Sequence, residues 1–279
     1  MKFLVTGANG YVGRHVVDAL VALGHDVTAA TRGEPGTQAG ARPLRLDVLD
    51  APDDVYELTG RPDVCIHLAW ENGFAHNSPS HIQNADRHIR FMRNMLSGGL
   101  KHLVGIGTAH EIGPHVGPVT ETTPTNPIHA YGVAKNYLQR VQKLLCAEHG
   151  ATDQWLRCYY ITGDDARNNS IFRRMLDAVA EGKTTFPLNS GELLFDFIDV
   201  HELGRQIALV SSQKEVTGII NCCSGVPTSL KTMVLRFIAE NKLPIEPQWG
   251  AFPIRPYDSL AIWGDPEKLR LALAAAEPT

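Results

Sequence analysis

The sequence predicts an α/β protein in which a doubly wound parallel sheet is followed by a smaller C-terminal lobe. Short apolar runs alternate with amphipathic stretches through the first half of the 279-residue chain. Several runs are apolar at consecutive positions, which is typical of parallel strands covered by helices on both faces. A glycine-rich segment, residues 6–13, joins the first run to the first amphipathic stretch. In such sheets, ligands bind where the strands end.

The elements of the first half follow from the spacing of apolar residues. Val12, Val16 and Leu20 recur at helical intervals, and Gly24 ends the helix that they predict. The predicted helices cover residues 12–23, 80–96 and 131–149. The predicted strands cover residues 2–6, 26–31, 64–69 and 103–107.

The second half predicts shorter elements separated by frequent turns. The predicted strands cover residues 155–161, 184–186, 195–198 and 218–222, and the predicted helices cover residues 171–181, 200–210 and 230–240. Four prolines close together predict an irregular segment: Pro244, Pro247, Pro253 and Pro256. We therefore expect a nucleotide-binding domain over residues 1–160 and a mainly substrate-binding lobe over residues 161–279, with some segments returning to the first sheet.

Composition and charge exclude several classes of protein. The hydrophobic fraction is 43 %, the charged fraction is 20 % and the net charge is −4. These values exclude a disordered chain and give no electrostatic reason to bind nucleic acid or an anionic membrane. No run of about 18 apolar residues predicts a membrane span, and the first apolar run ends too early, at Thr6-Gly7, for a signal peptide.

The cysteines and histidines show no metal-binding pattern. The five cysteines lack any C-x-x-C spacing, so we expect buried, reduced thiols in a cytoplasmic protein. The histidines lack a spacing such as H-E-x-x-H, and we expect no metal.

The segment Thr6-Gly7-Ala8-Asn9-Gly10-Tyr11-Val12-Gly13 predicts a dinucleotide site. Its glycines permit a tight turn and let backbone N–H groups approach a pyrophosphate at the start of a helix. The spacing is G-x-x-G-x-x-G rather than G-x-G-x-x-G. The residues expected to bind the cofactor here are Gly7, Asn9, Gly10, Tyr11, Val12 and Gly13.

Tyr131 and Lys135 share one face of a predicted helix because residues four apart are neighbours there. The lysine charge would lower the pKa of the tyrosine, which is about 10 in isolation. The hydroxyl could then exchange a proton with a substrate oxygen near neutral pH. With the glycine segment, the run Tyr131-Gly132-Val133-Ala134-Lys135 resembles the extended short-chain dehydrogenase/reductase family, also described as the NAD-dependent epimerase/dehydratase family. The resemblance, which reaches about Leu271, implies a Rossmann-type sheet and an NAD(P)-dependent oxidoreductase.

The same resemblance implies roles for further residues. It assigns a substrate-binding hydroxyl to Thr108, which would complete a catalytic set with Tyr131 and Lys135. It suggests Asn84 as the family's structural asparagine. Besides Tyr131 and Lys135, five residues are expected to contact the adenine or lie beside the nicotinamide ribose: Asp47, Val48, Leu68, Ala69 and Trp70.

The end of the second predicted strand, Ala29-Ala30-Thr31-Arg32, predicts the choice of cofactor. Members that prefer NAD usually carry an Asp there for the ribose 2′-hydroxyl, and this chain does not. The guanidinium of Arg32, beside the hydroxyl of Thr31, suits a 2′-phosphate. We therefore expect a preference for NADP(H), with NAD(H) as the alternative.

Segments of the second half resemble the nucleotide-sugar branch of this family. Residues 195–202 are similar to its R-D-F-I-x-V-x-D segment, and residues 255–269 are similar to its C-terminal element, where Arg255 is a candidate for binding the substrate diphosphate. Two positions depart from the branch, since Phe195 replaces a phosphate-binding Arg and Tyr160 replaces a common Asn. A non-nucleotide substrate therefore stays open. The other candidate substrate residues are Trp70, Asn72, Phe74, Thr108 and His110.

The residues after Thr108 discriminate between reactions. Sugar 4,6-dehydratases carry Asp-Glu there, whereas this chain has Ala109-His110, and Glu111 comes too late to replace the Asp. The pattern G-T-x-x-E-x-G is similar to that of the 4-ketoreductases of deoxysugar biosynthesis. We therefore expect NADPH-dependent reduction of a nucleotide-linked 4-keto-6-deoxyhexose, with Tyr131 as proton donor.

The sequence leaves two alternative functions open, and the resemblance also predicts an oligomeric state. The first alternative is an NAD-dependent nucleotide-sugar 4-epimerase, and the second is a non-catalytic NADP-binding regulator. A homodimer through the helices at residues 80–96 and 131–149 is also expected from the resemblance.

Overall fold

The computed structural model of the protein describes residues 1–34, 36, 38–165 and 168–276. Its strands are β1 (Lys2–Thr6), β2 (Asp26–Thr31), β3 (Ala41–Arg45), β4 (Val64–His67), β5 (His102–Thr108), β6 (Val116–Val119), β7 (Thr152–Cys158), β8 (Tyr160–Thr162), β9 (Thr185–Pro187), β10 (Leu194–Asp199), β11 (Gly218–Cys222), β12 (Pro227–Ser229), β13 (Glu246–Gln248) and β14 (Ala261–Gly264). Its helices are α1 (Gly13–Ala22), α2 (Val55–Leu58), α3 (Ser80–Gln83), α4 (Ala85–Gly98), α5 (Ala130–His149), α6 (Ile171–Ala180), α7 (Val200–Ser211), α8 (Leu230–Glu240) and α9 (Glu267–Ala276).

The larger sheet contains seven described strands in the order β11-β7-β5-β4-β1-β2-β3. Every neighbouring pair in it runs parallel. The strand order reverses between β1 and β4, which creates a crevice at the carboxyl ends of these strands. The predicted doubly wound α/β fold is therefore confirmed.

Both faces of this sheet are covered by helices, which explains the consecutive apolar residues of its strands. Phe3 and Val5 join a core with residues of α1 and α7, whereas Leu4 joins a second core with residues of α4 and α5. Successive side chains of a strand point to opposite faces. A strand covered on both faces therefore needs apolar side chains at every position.

A second sheet interleaves with the first along the chain. Its order is β12-β10-β14-β6, and β8 also pairs with β10. β6 belongs to this sheet although it precedes residue 160, and β11 returns to the larger sheet although it follows that residue. The domain boundary at residue 160 stays a prediction, because the chain passes between the two sheets more than once.

Three predicted elements differ from the observed ones. The helix predicted at 80–96 is divided into α3 and α4 at Asn84, whose φ of −94° and ψ of −6° depart from helical values. The strand predicted at 155–161 is divided between β7 and β8, which lie in different sheets. The strand predicted at 64–69 ends at His67, so residues 68–70 leave the sheet and enter the crevice region.

All five cysteines are buried and in the reduced form, as the sequence predicts. Within the described ranges, none of the helices combines the length and the apolar character that crossing a membrane requires.

Candidate active site

The glycine turn between β1 and α1 packs against the loop after β4. Gly7 has a φ of +69°, and a Cβ atom there would lie 2.8 Å from the backbone nitrogen of Ala69. A Cβ atom on Gly13 would lie 2.2 Å from the carbonyl oxygen of Gly7. Only glycine fits these positions, and no side chain of the described residues caps the start of α1. The free N–H groups and the close turn fit a dinucleotide diphosphate.

Two predicted cofactor residues of this turn hold neighbouring loops. The Tyr11 hydroxyl donates to the carbonyl oxygen of Gly163 at 2.5 Å, and the Asn9 amide donates to the carbonyl oxygen of Glu34 at 3.0 Å. Arg14, the second residue of α1, forms an ion pair with Asp164. The turn is therefore tied on one side to the loop after β2 and on the other to the loop after β8.

Arg32, predicted to bind a 2′-phosphate, forms an ion pair with Glu71 in this structure. The other carboxylate oxygen of Glu71 accepts a hydrogen bond from the Asn84 amide at 3.0 Å. Arg32 follows β2 and Glu71 follows β4, and β1 lies between these strands. The ion pair therefore spans the end of β1, beside the glycine turn. Sequence spacing offered no signal for Glu71.

Asp47 and Val48, predicted to contact the adenine, form a short 3-10 turn after β3. The Asp47 carboxylate caps this turn by accepting from the backbone nitrogen of Leu49 at 3.0 Å. Val48 is buried. One carboxylate oxygen of Asp47 is therefore engaged in stabilising this turn.

Trp70 and Lys135 contact each other in the crevice. The Lys135 ammonium donates to the carbonyl oxygen of Ile106 at 2.8 Å and lies 4.0 Å from the centre of the Trp70 ring. Burial lowers the pKa of Lys135 to about 8. The Trp70 indole donates to Nδ1 of His81 at 3.1 Å and stacks on His88. Trp70 therefore covers the buried lysine.

Tyr131 lies at the start of α5, with its phenol beside the side chain of Thr108, the last residue of β5. Burial holds the pKa of Tyr131 above its ordinary value, while the polar side chain of Thr108 acts in the opposite direction. The predicted lowering of this pKa by Lys135 is not what the structure shows. The ammonium is held by the Ile106 carbonyl, and burial of the phenol outweighs the other influences.

Glu111 supports Thr108 from behind the strand. Its side chain is fully buried and accepts from the backbone nitrogen of Thr108 at 2.8 Å, completing a capping box around the 3-10 turn Ala109–Glu111. The same carboxylate accepts from the Trp155 indole at 3.0 Å and forms an ion pair with buried Arg157. A Cβ atom on Gly107 would lie 2.4 Å from this carboxylate. The G-T-x-x-E pattern is therefore a structural unit that positions Thr108.

Three histidines from separate segments meet beside Tyr131. His76, His110 and His129 have ring nitrogens within 4.8 Å of one another. His110 and His129 line a small cleft with Tyr160 and Tyr257. No spacing rule finds this cluster, because the fold brings together residues 76, 110 and 129 from three loops and helix ends.

Tyr160 and Phe195, the two residues that depart from the pattern of the nucleotide-sugar branch, contact each other. Tyr160 lines the cleft and stacks on buried Phe195 with ring centroids 4.0 Å apart, so Phe195 supports the cleft wall from behind. Arg255 lies over the Tyr257 ring and pairs with Asp258 at 3.0 Å.

The last two candidate substrate residues lie in the loop after β4. The Asn72 amide donates to Ser80 at 3.0 Å and so orders its own loop. The Phe74 side chain is exposed.

A buried pair of histidines, His67 and His88, predicts that acid destabilises the folded protein. The Thr6 hydroxyl lies 2.9 Å from Nδ1 of His67, whose Nε2 lies 2.9 Å from Nδ1 of His88. Burial lowers the pKa of His88 to about 3 and that of His67 well below its ordinary value. Unfolded histidines have a pKa of about 6.5, so the unfolded chain binds more protons below this pH. The free energy of unfolding is therefore fully present above about pH 6.5 and falls as the pH decreases, by about 1.4 kcal/mol per pH unit for each such histidine.

Urea unfolding between about pH 7 and pH 5 measures this slope. The variant His88→Gln should reduce the slope by about 1.4 kcal/mol per pH unit, whatever its effect on absolute stability. The variant Asn94→Gln, on the same helix as His88, changes no titrating group and is the matched control, which should keep the wild-type slope. A free energy of unfolding that does not change over this range would contradict the prediction.

Comparisons with known proteins identify sequences and structures that are similar to this chain. The family described as "Epimerase: NAD dependent epimerase/dehydratase family" matches residues 3–223. A protein of Aggregatibacter actinomycetemcomitans named dTDP-6-deoxy-L-talose 4-dehydrogenase (NAD(+)) is 44 % identical over 269 residues, covering 95 % of this chain and 99 % of that protein. A UDP-glucose 4-epimerase of Corynebacterium glutamicum is 28 % identical over 300 residues, covering 98 % of this chain and 90 % of that protein.

A solved structure shows the same fold. MoeE5 in complex with UDP-glucuronic acid and NAD superposes with a TM-score of 0.84 at 23 % identity, covering 100 % of this chain and 94 % of that chain.

Proposed function

Since the chain belongs to the NAD dependent epimerase/dehydratase family, we propose that it reduces the 4-keto group of a nucleotide-linked 4-keto-6-deoxyhexose. Family membership confirms the predicted resemblance and the predicted class of enzyme, an NAD(P)-dependent oxidoreductase. The observation that carries the proposal is the position of the Tyr131 phenol beside the side chain of Thr108 at the carboxyl edge of the sheet. The name of the 44 % identical relative, a 4-dehydrogenase of dTDP-6-deoxy-L-talose, supports this carbon and this class of sugar.

The glycine turn and the tyrosine face the same crevice. Gly7 abuts Ala69, and the next residue, Trp70, covers Lys135 on the helix that carries Tyr131. N–H groups at the start of α1 would hold the cofactor diphosphate, and Trp70 and Lys135 lie where the nicotinamide ribose is expected. When bound, the cofactor supplies the hydride from its nicotinamide ring.

Tyr131 supplies the proton in this mechanism. Its raised pKa keeps the hydroxyl protonated before the reaction, which is the form that a proton donor needs. The Thr108 hydroxyl donates to the same substrate oxygen, so that donors already point where negative charge develops. Lys135, which lies under Trp70 on the same helix, would hold the nicotinamide ribose, as the family resemblance implies.

The proposal is tested by following the nicotinamide absorbance with a panel of nucleotide-linked 4-keto-6-deoxyhexoses. We expect consumption of NADPH or NADH with one sugar of the panel. The reverse reaction, reduction of NAD⁺ or NADP⁺ by dTDP-6-deoxy-L-talose, is the matched assay. If the protein binds the cofactor but neither assay shows turnover, the proposed substrate class is wrong, and another carbonyl substrate or a regulatory role must be considered.

The resemblance to UDP-glucose 4-epimerases supports a second candidate function, an NAD-dependent 4-epimerase. An epimerase regenerates its own cofactor and keeps it bound, whereas a reductase releases it after each turnover. The absorbance of the purified protein separates them. A resident nicotinamide nucleotide supports the epimerase, and protein that binds added NAD(P)H reversibly supports the reductase.

Cofactor selectivity is expected to depend on Glu71. The predicted preference for NADP(H) rests on Arg32 and stays a prediction, because Glu71 pairs with this guanidinium and the 44 % identical relative is named for NAD(+). The variant Glu71→Gln removes a charge that would repel a 2′-phosphate and frees Arg32. It should raise the ratio of kcat/KM for NADPH to that for NADH by about tenfold, which corresponds to about 1.4 kcal/mol.

Two variants control this experiment. Arg32→Ala should lower the same ratio if the guanidinium binds the phosphate. Glu34→Gln, on the loop that follows Arg32, removes an exposed carboxylate and should leave the ratio unchanged. An unaltered ratio in both Glu71→Gln and Arg32→Ala would mean that cofactor choice lies elsewhere.

The predicted homodimer and the cytoplasmic location remain proposals. Exposed apolar side chains support the dimer, because they lie on the two segments that the prediction named. These side chains are Ile82 on α3 and Val133, Tyr137 and Leu144 on α5. Sedimentation of the purified protein would measure the oligomeric state.

A further inference from the structure

The cleft beside Tyr131 contains a chain of hydrogen bonds that begins at helix α5. The backbone N–H of Gly132 donates to Nδ1 of His129 at 3.2 Å, which makes His129 the N-cap of this helix. Nε2 of His129 lies 3.2 Å from Nδ1 of His110. The order of these contacts is therefore helix backbone, His129 and His110.

The first bond determines the proton positions on both rings. Because Nδ1 of His129 accepts from the helix, the neutral ring carries its proton on Nε2. That proton is donated to Nδ1 of His110, so His110 also carries its proton on Nε2. Both rings are neutral near pH 7, since burial lowers the pKa of His110 to about 3 and the pKa of His129 below its ordinary value.

Nε2 of His110 is left available to a ligand. His110 lines the cleft and is partly exposed, and in the described ranges its Nε2 has no hydrogen-bond partner. Its ring centroid lies 6.1 Å from that of Tyr131 and 6.2 Å from that of Tyr160. When the reacting oxygen of a substrate contacts Tyr131, a neighbouring group of the same substrate therefore lies beside His110.

We propose that the cap of helix α5 makes His110 a fixed hydrogen-bond donor, which binds a second oxygen of the substrate next to the group that reacts at Tyr131. The inference rests on the proposed function. A ring in this state donates from Nε2 and offers no lone pair there, so it selects a carbonyl or hydroxyl oxygen and rejects an apolar substituent or a ligand that can only donate. Tyr131 lies two residues after the cap, so the same helix start positions the proton donor and orients the proton of His110.

The cap also argues against a metal ion in the three-histidine cluster. Coordination through Nε2 of His129 would move the ring proton to Nδ1, where the N–H of Gly132 already points. Two donors would then face each other at the helix start. The cluster therefore favours a hydrogen-bond relay over a metal site.

Nitrogen-15 NMR of histidine-labelled protein tests the proton positions without any substrate. We expect an unprotonated Nδ1 and a protonated Nε2 on both His110 and His129 near neutral pH, unchanged by one equivalent of zinc chloride. His129→Ser keeps a capping oxygen but removes the donor, so the Nδ1 signal of His110 should lose its hydrogen-bond shift. A proton on Nδ1 of either ring, or loss of the Nε2 proton of His129 on adding zinc, would overturn the relay.

Kinetics with the sugar that the wild-type enzyme reduces test the substrate contact. The variant His110→Phe should raise KM for the sugar by about tenfold, as expected for one lost hydrogen bond, and leave KM for the cofactor unchanged. His110→Gln carries an amide donor of similar reach and should recover most of the loss. His115→Phe, on the same segment but outside the cleft lining, is the matched control.

The outcomes separate this inference from the proposed function. An active wild-type enzyme with an unchanged KM in His110→Phe would overturn the contact with His110 and leave the reductase assignment in place. A wild-type enzyme that reduces no sugar of the panel would count against the proposed function, whereas the NMR result still decides the relay.

Discussion

Replacing Tyr131 with phenylalanine is expected to reduce turnover by between about 10²- and 10⁴-fold, the usual contribution of a positioned proton donor. The variant keeps the ring and its packing but removes the hydroxyl that lies beside Thr108. Cofactor binding should stay nearly the same, because the glycine turn and Trp70 are untouched. Turnover is measured by the nicotinamide absorbance, and cofactor affinity by titration of the intrinsic fluorescence.

Tyr137→Phe is the matched control, since Tyr137 lies on the same helix with its side chain half exposed to solvent. It should retain wild-type turnover. Activity of Tyr131→Phe close to that of the wild type would mean that another group donates the proton. A loss of cofactor affinity in the same variant would instead indicate a structural defect.

Replacing Glu111 with glutamine is expected to lower the free energy of unfolding by about 3 kcal/mol or more. Arg157, also fully buried, would lose its counter-ion, and an unpaired buried charge is among the most destabilising changes in a protein. Turnover should fall as well, because the Glu111 carboxylate accepts from the backbone nitrogen of Thr108. Urea unfolding measures the first effect, and kcat measures the second.

A double variant separates the two effects. Combining Glu111→Leu with Arg157→Met removes both charges, so stability should recover at least in part, as it does when apolar residues replace buried ion pairs. Turnover should remain low, because the backbone nitrogen of Thr108 then lacks the carboxylate that it donates to. Glu57→Gln, which removes the partner of exposed Arg61, is the control and should leave the free energy of unfolding nearly unchanged, because exposed ion pairs contribute little. A double variant with full activity would show that Glu111 has no role in positioning Thr108.

The fold was predictable because its signals are local. Consecutive apolar residues in β1 and β4 indicate strands buried on both faces, and the glycine segment between β1 and α1 indicates a tight turn beside a helix start. The breaks were less predictable. The helical periodicity of residues 80–96 continues through Asn84, whereas in the structure the Asn84 amide donates to Glu71 at the break.

The candidate site was predictable only in part. Tyr131 and Lys135 are recognised by residue type and spacing, Thr108 follows from the family resemblance, and the structure brings Thr108 and Tyr131 together. The position of the Lys135 ammonium, on the Ile106 carbonyl and under Trp70, depends on side chains from other strands. For this reason, a rule based on four-residue spacing predicts the neighbour but not the contact.

By itself, the sequence determined the parallel sheet, the cofactor crevice and the chemical class of the site. These follow from hydrophobic periodicity, glycine positions and a short helical motif, which act over a few residues. The tertiary structure alone decided how charges and protons are arranged there: Arg32 on Glu71, Glu111 on Arg157, and His129 on His110. These pairs join residues that are 39, 46 and 19 positions apart. Their energies depend on burial and on donor geometry, and both exist only after the strands and helices have packed.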